Sequence, residues 1–378
     1  MKRTDIEWTA THKPDGTAEP GLSSNPLQYR DADGRVVWAC VKHSTGCDHC
    51  YSEAIALRFE RGQPFTRANM EGLTPFLCPK ELKHILTAKQ IGGLPVAGSK
   101  CFLGDMTDVF GDWVSDELLD KLFAVIGLRQ DVTFQILTKR ADRMAAYMLR
   151  LAKSIKPLEE AARALGYTFK FRGVDGREHS TLPLPFRHLW LGTSVENQAA
   201  ADARIPHLLA TPAAIRFLSC EPLLGPVNLS RWLYEQTYLC HRCKMPFQES
   251  ERRKTPGAIR CPFCQGDGSP EGGVPTSDIG WAIIGGESGP GARSMQIEHM
   301  RSLVAQCRAA EVPMFVKQLG AVIHATNIID PLDQFPGGGK SHCQGPGQDT
   351  IELRLKDCKG GDVSEFPKDL QVREFPNG

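Results

Sequence analysis

Thr133-Phe-Gln-Ile-Leu-Thr-Lys-Arg-Ala-Asp-Arg-Met-Ala-Ala-Tyr-Met-Leu-Arg-Leu151 carries the pattern on which the fold turns. Thr133 to Leu137 is a short apolar and β-branched run, which predicts a buried strand. From Arg140 to Leu151 the apolar residues recur at helical spacing, which predicts a helix. Thr138, Lys139 and Arg140 fall between the two, where a strand ends and its polar residues are delivered.

The same unit recurs. Lys100-Cys-Phe-Leu-Gly104 reads as a strand ending in Asp105-Met-Thr-Asp108, and Ser115 to Arg129 as a helix with Leu118, Leu119, Leu122, Phe123 and Ile126 on one side. Leu189 to Gly192 is a strand before a helix over Glu196 to Leu209, and Ile215 to Ser219 another strand. Trp281 to Ile284 leads to a helix around Ile297 to Ala310, and Met314 to Val316 is a further strand. Short apolar strands alternating with helices imply parallel pairing through right-handed crossovers. The expected fold class is therefore α/β, a partial or complete TIM-type (βα) barrel, whose chemistry lies at the C-terminal ends of its strands.

The 378 residues, 41% hydrophobic and 24% charged, suffice for one large barrel plus insertions. A net charge of +1 gives no global attraction to nucleic acid, so such contacts need local patches. No apolar run approaches the roughly 18–20 residues that span a bilayer, and Met1-Lys-Arg-Thr-Asp5 lacks a secretory core. The expectation is a cytoplasmic protein with no membrane partner. The barrel's first part is expected over 1–229, with a loop at 38–51 and a small hairpin insertion at 152–187. A second insertion covers 230–280, the last barrel units 281–325, and an irregular C-terminal extension packing on the barrel 326–378.

Of thirteen cysteines, seven fall in two metal-type groups. In Trp38-Ala-Cys-Val-Lys-His-Ser-Thr-Gly-Cys-Asp-His-Cys-Tyr51, Cys40, Cys47 and Cys50 form a three-thiolate cup with one metal position open. His43 or His49 would close a zinc site, whereas a four-iron four-sulfur cluster on three thiolates would leave one iron open; the spacing allows both. A helix expected over Tyr51 to Arg61 points its N-terminus into this loop, where backbone amides favour an anionic group. The second group, Cys240-His-Arg-Cys243 and Cys261-Pro-Phe-Cys264, has seventeen residues between its pairs, the spacing of a zinc ribbon binding Zn2+, with a second iron-sulfur cluster as the lesser alternative. Arg242, Lys244, Arg252, Arg253, Lys254 and Arg260 surround it, with Phe247 and Phe263, a set suited to phosphates and bases and equally to a solvated face. Of Cys78, Cys101, Cys220, Cys307, Cys343 and Cys358, most read as buried spectator thiols.

Ordered landmarks run almost end to end: Ile6-Glu-Trp-Thr9, the Cys40/Cys47/Cys50 loop closed by Tyr51, Leu137-Thr-Lys-Arg140, Leu191-Gly-Thr-Ser-Val-Glu-Asn197, Phe217-Leu-Ser-Cys-Glu-Pro-Leu-Leu-Gly225, Gly285-Gly-Glu-Ser-Gly-Pro-Gly-Ala-Arg293 and Phe315-Val-Lys-Gln318. In these the chain resembles a radical S-adenosylmethionine family, the three-cysteine phage proteins related to spore photoproduct lyase. Residues 10–35 depart from it as a longer polar segment. The resemblance implies a [4Fe-4S] cluster on Cys40, Cys47 and Cys50 whose open iron chelates S-adenosyl-L-methionine. One electron from a reductant such as flavodoxin or ferredoxin then yields a 5′-deoxyadenosyl radical.

Polar residues just past the strands are then the expected walls for S-adenosylmethionine or substrate: Asp105, Thr107, Asp108, Thr138, Lys139, Ser194, Glu196, Asn197, Glu221, Lys317 and Gln318. Each is alternatively a helix cap or loop hydrogen bond. Lys139 and Glu221 stand out as catalytic candidates, because a charge beside a barrel mouth needs a partner, while Arg140 reads as a structural pair. In the glycine-rich stretch, Gly285 and Gly286 allow backbone to approach a bound group, Glu287 suits an ammonium or ribose hydroxyl, and Arg293 suits a carboxylate or phosphate; a tight turn needing glycine for sterics alone explains it equally. The expected function is an isomerase or lyase acting on a modified pyrimidine base in DNA, as in phage DNA hypermodification, which in a phage host places it in the host cytoplasm. The alternatives are the same chemistry on a small metabolite, peptide or RNA, and a non-catalytic metal-stapled nucleic-acid-binding protein.

Overall fold

The computed structural model describes residues 1–12, 17–58, 62–169, 184–233, 279–326, 335 and 351–376, and the backbone of strand residues 171–172, 178–179, 237–239, 246–248, 253–255, 258–260, 340–343 and 350. Its longest sheet has eight strands, β1 (Lys2–Arg3), β2 (Leu22–Ser24), β3 (Lys100–Leu103), β4 (Thr133–Thr138), β5 (Leu189–Ser194), β6 (Ile215–Cys220), β7 (Ile279–Gly285) and β8 (Met314–Gln318). Their order across the sheet is their order along the chain. β1 runs antiparallel to β2, whereas β3 pairs in parallel with β2 and β4, and β7 with β6 and β8. The protein is thus α/β with a mostly parallel central sheet, and its strand order never reverses as it does at the switch point of a doubly wound sheet.

Helices α1 (Tyr51–Ala56), α2 (Asp116–Leu128), α3 (Ala141–Lys153), α4 (Gln198–Ala210) and α5 (Ile297–Ala309) lie between successive strands in the chain. α2 starts where Ser115 Oγ accepts the Leu118 amide, with Asp116 and Glu117 in its first turn favouring the positive helix end. α3 buries Met144, Ala145, Tyr147, Met148 and Leu151, a stripe at three- and four-residue spacing, and places Arg150 and Lys153 in its last turn.

The chain divides into two compact units, Met1–Gly192 with Thr211–Ile215 and Thr193–Ala210 with Arg216–Gly378. The division falls within β5. In the first unit α2 and α3 meet through Phe123 and Tyr147, whose ring centroids are 4.9 Å apart, with Phe110 about 6 Å from each. The Trp8 ring packs 4.7 Å from Phe102 of β3. Beside it Lys100 Nζ donates to the Ala10 carbonyl at 2.8 Å and lies 5.9 Å from the Trp190 ring.

In the second unit the sheet's last strand is covered. Phe315 bridges antiparallel to Arg373, Val316 N donates to the Val372 carbonyl at 2.8 Å, and Glu374 N donates to the Met314 carbonyl at 2.8 Å. Phe375 packs on Trp281 and Phe315, with centroids 5.6 and 5.4 Å apart.

Several expectations change. α1 ends at Ala56, short of Arg61; residues 59–61 lie outside the described residues. The 152–187 insertion carries the expected hairpin, Phe171–Arg172 against Glu178–His179, preceded by a helix at Lys156–Ala164 that buries Leu158, Ala161 and Ala162. The C-terminal extension expected to be irregular contributes Lys340–Cys343 and Thr350–Arg354 to a second sheet with Met295–Gln296 and Ile323–Thr326. No helix among the described residues is long and apolar enough to cross a membrane.

Burial pushes the Lys100 ammonium down from 10.5 to about 8. Between those values the unfolded chain holds a proton that the folded chain has released, so Lys100 makes stability rise with pH across this window. Lys100→Met removes that slope. Thermal unfolding at pH 7.5 and pH 10 is expected to show the wild type gaining about 2 kcal/mol relative to the variant, after discounting for partial exposure. Parallel pH dependences in the two proteins would exclude Lys100 as the responsible group.

Candidate functional site

The three-cysteine loop belongs to the first unit. Cys40, Cys47 and Cys50 are free and half-buried, while His43 and His49 are exposed. Cys47 closes a 3-10 turn, its amide donating to the Ser44 carbonyl at 2.8 Å, and the His43 amide donates to Cys47 Sγ at 3.4 Å. Cys50 is the N-cap of α1, its carbonyl accepting from Ala54 N at 3.0 Å. Glu53, one turn into α1, pairs with Lys42 at 2.8 Å and accepts the Phe65 amide at 2.8 Å.

The residues past β3 and β4 hold this loop. Thr107 Oγ1 donates to the Ala39 carbonyl at 2.8 Å and contacts Tyr29 Oη at 2.7 Å, which also accepts from Trp113 Nε1. Arg140 Nη2 donates to the Val41 carbonyl at 2.9 Å, while Nη1 donates to Asp108 Oδ2 at 3.0 Å. The buried Asp108 carboxylate also accepts from Thr138 Oγ1 at 2.6 Å and from the amides of Phe110 and Lys139 at 3.0 and 3.1 Å. Tyr51 Oη and Ser52 Oγ both donate to the Asp105 carbonyl, at 2.6 and 2.7 Å, and the Asp105 side chain pairs with Asn25. Burial raises the Asp105 carboxyl above its ordinary value, against the lowering effect of Asn25. Burial, then the Asp108 charge, pushes the Cys40 thiol up to about 12, while the Asp108 backbone and the Arg140 charge act in the opposing sense.

A single metal ion draws its ligands together, and no group of three or more His, Cys, Asp or Glu side chains among the described residues is so arranged. A cluster makes a different demand, because each thiolate takes its own iron. Three free thiols on one loop, one already accepting a backbone amide, fit that demand. Cys240, Cys243, Cys261 and Cys264 lie outside the described residues. The strands around them pair antiparallel, Thr237–Leu239 with Pro246–Gln248 and Arg253–Thr255 with Ala258–Arg260.

The strand-end residues of the second unit are largely paired with each other. Glu196 is 1% exposed and takes Arg204 Nη1 and Nη2 at 2.7 and 3.3 Å, while Nη1 also donates to the Ser194 carbonyl at 2.8 Å. Asn197 Oδ1 accepts the Ala200 amide at 2.9 Å at the start of α4, the cap reading of that residue. Glu287 accepts from Arg293 N, Nε and Nη2 at 2.8, 3.0 and 2.6 Å, so the two groups expected to bind a ligand bind one another.

The glycines have packing roles. A Cβ on Gly286 would lie 2.2 Å from the Leu319 carbonyl oxygen, and one on Gly285 would press Glu221 and Gln318 at 3.3 and 3.4 Å. Gly285 thereby leaves room for Glu221, at the end of β6, to reach Lys317 of β8, where Nζ donates to Oε1 at 2.6 Å. Gln318 Nε2 donates to the Gly286 carbonyl at 2.8 Å. Glu221 therefore has the partner its charge requires, and half-buried Lys139 sits beside the Asp108 carboxylate through its own amide. Sequence reasoning missed Arg204, Asn25 and Tyr29. Arg204 lies one α-helical stretch beyond Glu196, a buried acid whose need for a partner was the available signal.

If Gly286 is there for packing, Gly286→Ala costs about 3 kcal/mol or more through a backbone clash. Gly291, at φ 75° with nothing within 4 Å of its Cβ position, meets only backbone strain, so Gly291→Ala costs about 1 kcal/mol. Chemical denaturation of both variants checks the order; equal costs would remove the packing explanation.

No curated protein and no solved structure matches the chain. One family model does, described as "Protein of unknown function (DUF5131)" and matching residues 25–360. That span takes in the cysteine loop, every strand from β3 to β8 and the glycine-rich stretch, and the chain belongs to the DUF5131 family.

Proposed function

We propose that this protein is a radical S-adenosylmethionine enzyme, an isomerase or lyase acting on a modified pyrimidine base in DNA. The observation that carries the reading is the loop of Cys40, Cys47 and Cys50, three free thiols, the first of which has both flanking carbonyls held by side chains from strand ends. The strand order supports a partial (βα) barrel as its scaffold, because right-handed crossovers between strands that follow one another put successive helices on one face.

In this reading Cys40, Cys47 and Cys50 hold a [4Fe-4S] cluster. With S-adenosylmethionine bound, that group supplies one-electron cleavage of a sulfonium bond and so a carbon radical. The chain's own contribution is placement. Thr107 and Arg140 hold the loop, Tyr51 and Ser52 fix the Asp105 carbonyl, and Cys50 is seated at the N-cap of α1. Lys139 in the first unit is the charged group proposed to orient and exchange protons with the base, and Glu221, paired with Lys317, is the catalytic candidate of the second unit taken by itself. Ser194, Glu196, Glu287 and Arg293 serve by shaping backbone, their side chains or carbonyls being engaged in internal pairs.

The DNA half of the reading rests on the resemblance and on charge in the second insertion. Its sequence carries Arg242, Lys244, Arg252, Arg253, Lys254 and Arg260, a set suited to phosphates. Zinc on Cys240, Cys243, Cys261 and Cys264 is the proposed staple of that insertion.

Anaerobic reconstitution with iron, sulfide and S-adenosylmethionine is expected to give a coloured protein that forms 5′-deoxyadenosine, faster with phage-type modified DNA than with nucleosides or peptides. Cys40→Ala, Cys47→Ala and Cys50→Ala are each expected to lower that rate by about 100-fold or more and to reduce bound iron, whereas Cys78→Ala keeps both. A wild-type protein that remains colourless and binds only zinc sinks the proposal. Turnover indifferent to DNA sinks its substrate half.

A further inference from the structure

We infer that Asp108 is a positioning residue for the first thiol of the cysteine loop, an inference that rests on reading Cys40, Cys47 and Cys50 as ligands of one cluster. The three thiols reach their places by different means. Cys47 lies in a 3-10 turn and Cys50 caps α1, so both are set by local backbone. Cys40 precedes both elements, and its position comes from outside the loop.

Both peptide groups flanking Cys40 are held by side chains past β3 and β4. Thr107 Oγ1 holds the Ala39 carbonyl at 2.8 Å and Arg140 Nη2 holds the Val41 carbonyl at 2.9 Å. Arg140 can aim that arm because its other arm is fixed on Asp108 Oδ2 at 3.0 Å and its guanidinium lies 4.6 Å from the Trp113 ring centroid. Asp108 Oδ1 at the same time fixes Thr138, whose hydroxyl accepts the Arg140 amide at 2.9 Å. One buried carboxylate thus joins the ends of β3 and β4 and transmits their rigidity to Cys40. The planar fork of an arginine is required, since a lysine reaches only one of the two acceptors at a time.

The test compares Arg140→Lys, Thr107→Val and Asp108→Asn with the wild type and with Thr107→Ser, which keeps the hydroxyl. In the metal-free full-length protein, iodoacetamide labelling of each cysteine is followed by peptide mass spectrometry. Arg140→Lys and Thr107→Val are expected to raise the Cys40 labelling rate about tenfold, the weight of one ordinary hydrogen bond, with Cys78 unchanged and Thr107→Ser at the wild-type rate. After anaerobic reconstitution the same two variants bind less iron and sulfide per chain than the wild type. Asp108→Asn is expected to exceed both; should it not fold, the other two still decide. A Cys40 rate unchanged in all three, or a rise shared equally by Cys47, Cys50 and Cys78, overturns the inference. Absence of iron and sulfide uptake by the wild type overturns the cluster reading, and the Cys40 labelling then still reports separately on the brace.

Discussion

The buried carboxylate of Asp108 is the constraint on which the first unit's arrangement depends. It takes hydrogen bonds from a hydroxyl, two amides and a guanidinium, whose donors come from the end of β4, the residues leading into α3 and the loop between β3 and α2. An ionised group with this little exposure persists only when its lone pairs are filled. Losing one donor leaves charge uncompensated, which makes the cluster of partners cooperative. The cysteine loop inherits its order from that cooperativity, since its own secondary structure amounts to one 3-10 turn and the first turn of a six-residue helix.

The second unit meets a similar problem with separate pairs. Glu196 with Arg204 and Glu287 with Arg293 are double-pronged, and Glu221 with Lys317 is single and more exposed. Buried ion pairs contribute little net stability, because desolvation offsets attraction, but they penalise any arrangement that separates the partners. They therefore act as registration marks. The open pair, Glu221 with Lys317, is the one that a substrate could rearrange at modest cost.

Much of this was legible in the chain. Strands β3 to β8 and helices α2 to α5 follow from apolar runs and helical spacing, and their boundaries moved by only a few residues. β2 was not readable, because Leu22-Ser-Ser24 shows neither alternation nor an apolar run. The helix at Pro79–Thr87 buries only Leu82 and Ile85, too few for a stripe to stand out. The strands at 340–343 and 350–354 sit among glycines and prolines and take their form from pairing with Ile323–Thr326 and with each other. At the site, spacing identified the thiols and the strand-end polar residues, but it could not say which would be spent on one another. Asp108 and Arg140 are 32 positions apart, and Glu221 and Lys317 are 96 apart. Such partnerships belong to the tertiary structure alone.

The segment over β8 has a consequence for how the protein is made. Met314 and the Glu374 that caps it are 60 residues apart, and until the later residue leaves the ribosome the outer rim of β8 offers unpaired peptide groups to any other chain. At ordinary synthesis speeds that interval lasts roughly 3–12 s. During it Phe315 and Trp281 also lack the ring of Phe375. Nascent chains held close together on one messenger are thus most prone to mispairing between the emergence of Met314 and that of Glu374, and slowing synthesis of that stretch lengthens the exposure.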